Sequence, residues 1–201
     1  MRMRILSTIS MLVLALVLLA PGCSKKVSEQ KQQAPTQLTT QAPPHSIGTP
    51  AVAGIRWTVP KGWVEGPPKQ MRFATYVTLP AEKDAEGAEC SVSFFGTGQG
   101  GNVDQNIDRW ITQFENASAP SRSLKQISGL TVHLVRIGGS YVGMTGPMMQ
   151  QGGGRKDNFR LLGAIVEAPE GTVFFKLTGP AKTIVSNEDA FDTMLESLQK
   201  I

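Results

Sequence analysis

The segment between residues 138 and 158 holds Met144, Met148 and Met149 together with seven glycines at 138, 139, 143, 146, 152, 153 and 154. A connection this rich in glycine inside a compact domain reads as a mobile or functional loop. Unbranched thioether side chains make adaptable apolar contacts. The three methionines, with Tyr141 beside them, therefore predict a surface that takes a protein or a small molecule. Thioethers are also soft donors suited to Cu(I), so a metal-binding or carrier role is the alternative. The segment contains no His or Cys, and no resident metal or cofactor is expected.

Other constellations point away from catalysis. Gly96-Thr97-Gly98-Gln99-Gly100-Gly101 fits the dinucleotide pattern G-x-G-x-x-G between an expected strand and an expected helix. The strand before it alternates as Ser91, Val92, Ser93, Phe94, whereas a central parallel strand is apolar on both faces. The acid about 20 residues on, Glu115, falls at a helix end rather than a strand tip. The run then reads as a strand-to-helix connection whose exposed amides suit at most a small anion. A hydrolytic triad would need His133, because the other histidine, His45, lies outside the expected domain. Strand alternation puts His133 on the face opposite Val132 and Leu134, as a solvated residue. Asp104 and Asp108 share the outer face of a helix and read as solvated charge. Cys90 shares a strand face with Val92 and Phe94, the position of an inert core thiol. The expectation is a protein that is not an enzyme.

Charge separates along the chain. Beyond residue 50 the sequence has 15 Lys plus Arg and 15 Asp plus Glu, so the basic excess lies in the first 31 residues. A balanced domain offers no basic face for phosphate backbones, and nucleic acid is not expected as a partner. Arg2 and Arg4 precede the uncharged apolar run of residues 5 to 20, the layout of an export signal. The run is short for a membrane span and is closed by Pro21 and Gly22, which favours cleavage. Leu19-Ala20-Pro21-Gly22-Cys23 resembles the lipobox of bacterial lipoproteins. Ala20 stands where that pattern prefers leucine, and Pro21 is atypical. The resemblance implies diacylglycerol on Cys23 after removal of residues 1–22. It further implies a lipid-anchored protein of the bacterial envelope, on the outer membrane facing the periplasm, since Ser24 is not the acidic residue that favours inner-membrane retention. Plain secretion with a free Cys23 and an uncleaved anchor are the alternatives. Lys25 and Lys26 add a minor attraction to anionic headgroups of about 1 kcal/mol each.

Residues 23–53 form the anchor and a tether rich in Gln, Ser, Thr, Pro and Ala, without aromatic residues. A coil of about 30 residues spans on the order of 30 Å. Residues 54–201 are of a size for one domain. Alternation predicts strands over 55–59, 71–79 and 89–95, another starting with 130–135 that 141–144 continue or follow, and a hairpin of 159–166 with 172–177 across Ala168-Pro169-Glu170-Gly171. Asn102 predicts the N-cap of a helix whose apolar stripe is Val103, Ile107, Trp110, Ile111 and Phe114, with Asp104, Asp108, Arg109 and Gln113 off it. A last helix, capped by Ser186, buries Phe191, Met194, Leu195 and Leu198. These elements predict an α+β fold, an antiparallel sheet of about six strands covered by an internal and a C-terminal helix.

Trp57-Thr-Val-Pro60-Lys-Gly62-Trp63, the central helix, and Phe174-Phe175-Lys-Leu-Thr-Gly179-Pro180 before a terminal helix resemble the PsbP-like group and bacterial lipoproteins of the same layout. The resemblance implies a fold and leaves function open.

Overall fold

The strands run in chain order as β1 (Ala51–Val52), β2 (Ile55–Arg56), β3 (Val64–Glu65), β4 (Ala74–Val77) and β5 (Glu89–Phe94), followed by helix α1 (Val103–Ile111). Then come β6 (Phe114–Glu115), β7 (Ser121–Ile127), β8 (Leu130–Tyr141), β9 (Lys156–Ala168) and β10 (Gly171–Pro180). Helices α2 (Ala181–Ser186) and α3 (Glu188–Glu196) and strand β11 (Gln199–Lys200) close the chain. The computed structural model describes residues 49–143 and 154–201.

The α+β arrangement is as expected, with more strands. One sheet has eight, in the order β3-β4-β5-β10-β9-β8-β6, with β7 also on β8; β1, β2 and β11 form a second sheet. All of these pairings are antiparallel. The expected six becomes eight plus three for two reasons. Five of the strands are only two residues long, and β7 is solvent-facing almost throughout, so neither kind carries a readable alternation. The predicted hairpin forms with Gly171 opposite Ala168. The fold also takes in Ala51 and Val52, which the sequence reading leaves in the tether.

Period-two alternation on the long central strands feeds two cores. On one face Val132, Leu134, Leu162, Ala164, Val173, Phe175 and Leu177 pack with Ile184, Phe191, Met194, Leu195 and Leu198 of the C-terminal region and with Trp57 and Trp63. On the other face Val135, Ile137, Leu161, Ile165 and Phe174 pack against Ile107 and Trp110 of α1. Helix α1 lies close because β9 has no side chain beneath it at one point: a Cβ on Gly163 would come 2.4 Å from Trp110 Cζ3. Cys90 is fully buried in the first core, and burial raises its thiol pKa.

The helix ends show one success and one correction. Asn102 Oδ1 accepts from Asp104 N at 2.8 Å, as an N-cap does. Ser186 caps nothing: the last helix is broken at Asn187, and Ser186 Oγ donates back to Thr183 O at 3.0 Å. The first turn of α2 is served from a distance. Asp84 Oδ2 accepts from Thr183 N at 2.9 Å and Thr183 Oγ1 at 2.7 Å, satisfying a helix donor that Pro180 offers no side chain to meet.

Candidate functional site

Helix α1 covers only part of its sheet face. Between the C-terminal half of α1, the segment before β4, and strands β5 and β10 lies a recess of about 320 Å³. Strand pairing builds its floor: Phe174 stands opposite Ser93 and Lys176 opposite Ser91. These four residues point to the face that α1 occupies, since Phe175, Leu177, Cys90 and Val92 fill the other core. Trp110, Gln113 and Arg109 form one wall, and Arg72 with Gln70 and Met71 the other. Phe95 closes the apolar end, its ring centroid 5.7 Å from that of Phe174.

Lys176 is the unusual member. Its Nζ donates to Gln113 Oε1 at 2.5 Å and lies 5.5 Å from the centre of the Tyr141 ring. Among the described residues it makes no ion pair with a carboxylate. Burial pushes its pKa down to about 8, Arg72 and Arg109 add to the effect, and Glu89 opposes it. Glu89 is already occupied, by Lys69 Nζ at 2.5 Å and Arg72 Nη1 at 2.7 Å. Although burial opposes ionisation there, those two bonds hold the Glu89 carboxyl below its usual range. Arg109 bonds only the neutral Asn106 side chain. The recess therefore carries a positive surplus over an apolar wall, an arrangement suited to an anion with an apolar body.

Gln113 departs from expectation. The helical stripe places it outward, yet it is 4 % exposed because the helix ends before it, at Thr112. Its carbonyl then accepts from Val142 N at 2.9 Å, which ties the helix exit to the end of β8. Met71 sits at the rim, 76 % exposed and with φ +61°, a left-handed conformation unusual for a non-glycine residue.

No protein family model and no curated protein matches this chain. Two solved structures are similar in arrangement. One is a protein of unknown function from Pseudomonas aeruginosa, provisionally described as a regulator, with a TM-score of 0.44 and 14 % identity over 76 % of this chain and 96 % of that one. The other is cyanobacterial PsbP from Synechocystis, with a TM-score of 0.45 and 12 % identity over 79 % of this chain and 99 % of that one. Neither supplies a site, and the α+β assignment rests on the strand pairing above.

Of the four side chains that the sequence predicts as a contact surface, Tyr141 alone is among the described residues. Tyr141 lies on β8, in keeping with its strand expectation, while 138–140 and 156–158, expected within the glycine-rich connection, are also strand. Of the two glycines there, Gly139 serves close approach. A Cβ on Gly139 would lie 2.7 Å from Glu115 O and 3.0 Å from Ala117 Cα. Tyr141 stacks on Phe159 at 6.1 Å and lies behind the recess, where it touches Lys176. Burial raises its phenol pKa. Met144, Met148, Met149 and Cys23 lie outside the described residues. His133 pairs with Glu167 at 2.7 Å, and Asp108 pairs with Arg122 at 2.5 Å. The Gly96–Gly101 run follows a strand with antiparallel neighbours on both sides, unlike a dinucleotide crossover; Gly100 instead lets the chain pass Phe174, where a Cβ would sit 2.9 Å from the ring. The described residues contain no group of three His, Cys, Asp or Glu able to hold a metal.

Proposed function

We propose that this chain is a lipid-anchored binding protein of the bacterial envelope, without catalytic activity, whose domain takes a ligand in the Lys176 recess. The observation that carries the reading is Lys176 itself. A half-buried ammonium group beside aromatic rings and two arginines, with no carboxylate paired to it, costs a fold free energy. On that face of β10 the half-buried Lys176 stands between Phe174 and Thr178, next to the apolar cluster of Val135, Ile137, Leu161 and Ile165, and packing against that cluster gives no reason for a charge there. The segment around Met144, Met148 and Met149, by its composition, is a further contact surface for a small molecule or a protein partner. Cys23, with the apolar run before it, supports the anchor, and the outer membrane facing the periplasm is the location we propose.

A thermal-shift screen of the purified full-length protein in detergent against small metabolites tests the binding reading. Ligands that raise the melting temperature of the wild type and not of Lys176→Gln are expected; a screen in which none does so overturns it. Cys23→Ser is expected to abolish lipid labelling and release the protein from membranes. Retention in the membrane fraction with the unprocessed mass would refute the anchor. A second reading, Cu(I) binding, draws on the spacing of the three methionines. It predicts Cu(I) uptake that disappears when all three are changed to leucine, and uptake unaltered by that change would refute it.

A further inference from the structure

We infer that the recess takes a small organic acid, with one carboxylate on Lys176 between Arg72 and Arg109, and a flat apolar body against Trp110, Phe174 and Phe95. This inference deepens the binding reading above and rests on it. Three features select the class. Size is the first: about 320 Å³ is at the small end of the roughly 300–1,000 Å³ typical of small-molecule sites. Polarity is the second. Lys176 stands opposite Ser91, with Arg72 and Arg109 among the lining, while one step along the strands Phe174, opposite Ser93, gathers the rings of Phe95 and Trp110. Inorganic phosphate or acetate would leave the rings uncovered, and a neutral ring would leave Lys176 without a counter-charge.

The third feature is charge count. Lys69 and Arg72 share one carboxylate, Glu89, while Lys176 and Arg109 have neutral partners. The groups facing Lys176 are Arg72, Glu89, Arg109 and Tyr141. None supplies a free negative charge, and a bound carboxylate does. Its presence raises the affinity of Lys176 for its proton, so by linkage acid binding is strongest while Lys176 is protonated and weakens as pH rises through about 8.

The test uses benzoate, cinnamate and indole-3-acetate, each beside its amide, with acetate and inorganic phosphate as charge-only probes. Binding to the full-length protein in detergent is read by calorimetry and by amide shifts of Ser91, Ser93 and Lys176. At least one aromatic acid is expected to bind with a Kd below about 1 mM, with its amide, Lys176→Gln and Arg109→Gln each weakening it about tenfold or more. Its affinity should fall between about pH 7.5 and 9.5, in step with loss of the lysine proton. Equal binding of acid and amide overturns the acid assignment and leaves a recess that binds neutral rings. Phosphate or acetate binding as tightly as the aromatic acids overturns the role of the apolar wall. If no acid moves the recess resonances the inference falls, and the thermal-shift screen, which does not depend on this panel, still decides whether the recess binds anything.

Discussion

Replacing Lys176 by methionine should stabilise the ligand-free protein, the reverse of what loss of a hydrogen-bonded side chain usually does. Moving the ammonium pKa from its ordinary 10.5 to about 8 means the fold disfavours the charged form by about 3 kcal/mol, at about 1.4 kcal/mol per pH unit. Methionine removes that penalty and keeps the apolar stem. It also strands Gln113 Oε1 and ends the contact with the Tyr141 ring, losses of about 1 kcal/mol. A net gain of about 1–2 kcal/mol at neutral pH follows, or roughly 4 °C in melting temperature for a domain of this size. The sign of the pH dependence is equally specific. Below about 8 both folded and unfolded chains carry the proton, and stability is flat with respect to this group. Between about 8 and 10.5 only the unfolded chain holds it, so wild-type stability rises with pH. The variant should lack that rise. Urea denaturation from about pH 7 to 9.5 covers the useful window, below the range in which the tyrosines of the unfolded chain titrate. A variant less stable than wild type at neutral pH, with the same pH slope, would refute the buried-cation reasoning.

Gly163→Ala should be destabilising by about 1–3 kcal/mol, because its methyl group meets Trp110 and Val135. By lifting α1 it should also displace Arg109 and Gln113, so ligand affinity falls together with the chemical-denaturation midpoint. Asp84→Ala removes the remote acceptor for the first turn of α2 and should lower stability by about 1–2 kcal/mol without affecting binding in the recess. Asn102→Ala should lower stability by about 1 kcal/mol, seen as faster amide exchange at Asp104 and Gln105.

Local signals were legible where one segment contained the whole cause. Asn102 followed by an amphipathic stripe is sufficient for α1, and Ala168-Pro169-Glu170-Gly171 for the β9–β10 hairpin. Strand β7 was not legible, because an edge strand exposed at nearly every position has no buried face to impose alternation. Ser186 looked like a cap because capping chemistry is local, whereas the acceptor that serves α2 lies about 100 residues away in sequence. The glycines at 138 and 139 suggested a loop; Gly139 is needed where β8 passes the 115–117 backbone. The candidate site is scattered over residues 70–72, 91–95, 109–113 and 174–176, and each piece alone reads as ordinary surface. One signal was present. In Val173-Phe174-Phe175-Lys176-Leu177, alternation puts Lys176 on the same face as Phe174, a charge next to a buried aromatic residue.

The construction of the recess also bears on how its preferences can change. Its floor, β10, is paired on both sides, and its reverse side is held by Phe175 and Leu177, which are fully buried. Substitutions in the floor therefore disturb the larger core. The rim has no such tie: Gln70, Met71, Phe95 and Arg109 are exposed. Selectivity can be retuned there one side chain at a time at little loss of stability. That makes the fold a practical starting point for engineered acid sensors, with Lys176 kept constant and the rim randomised.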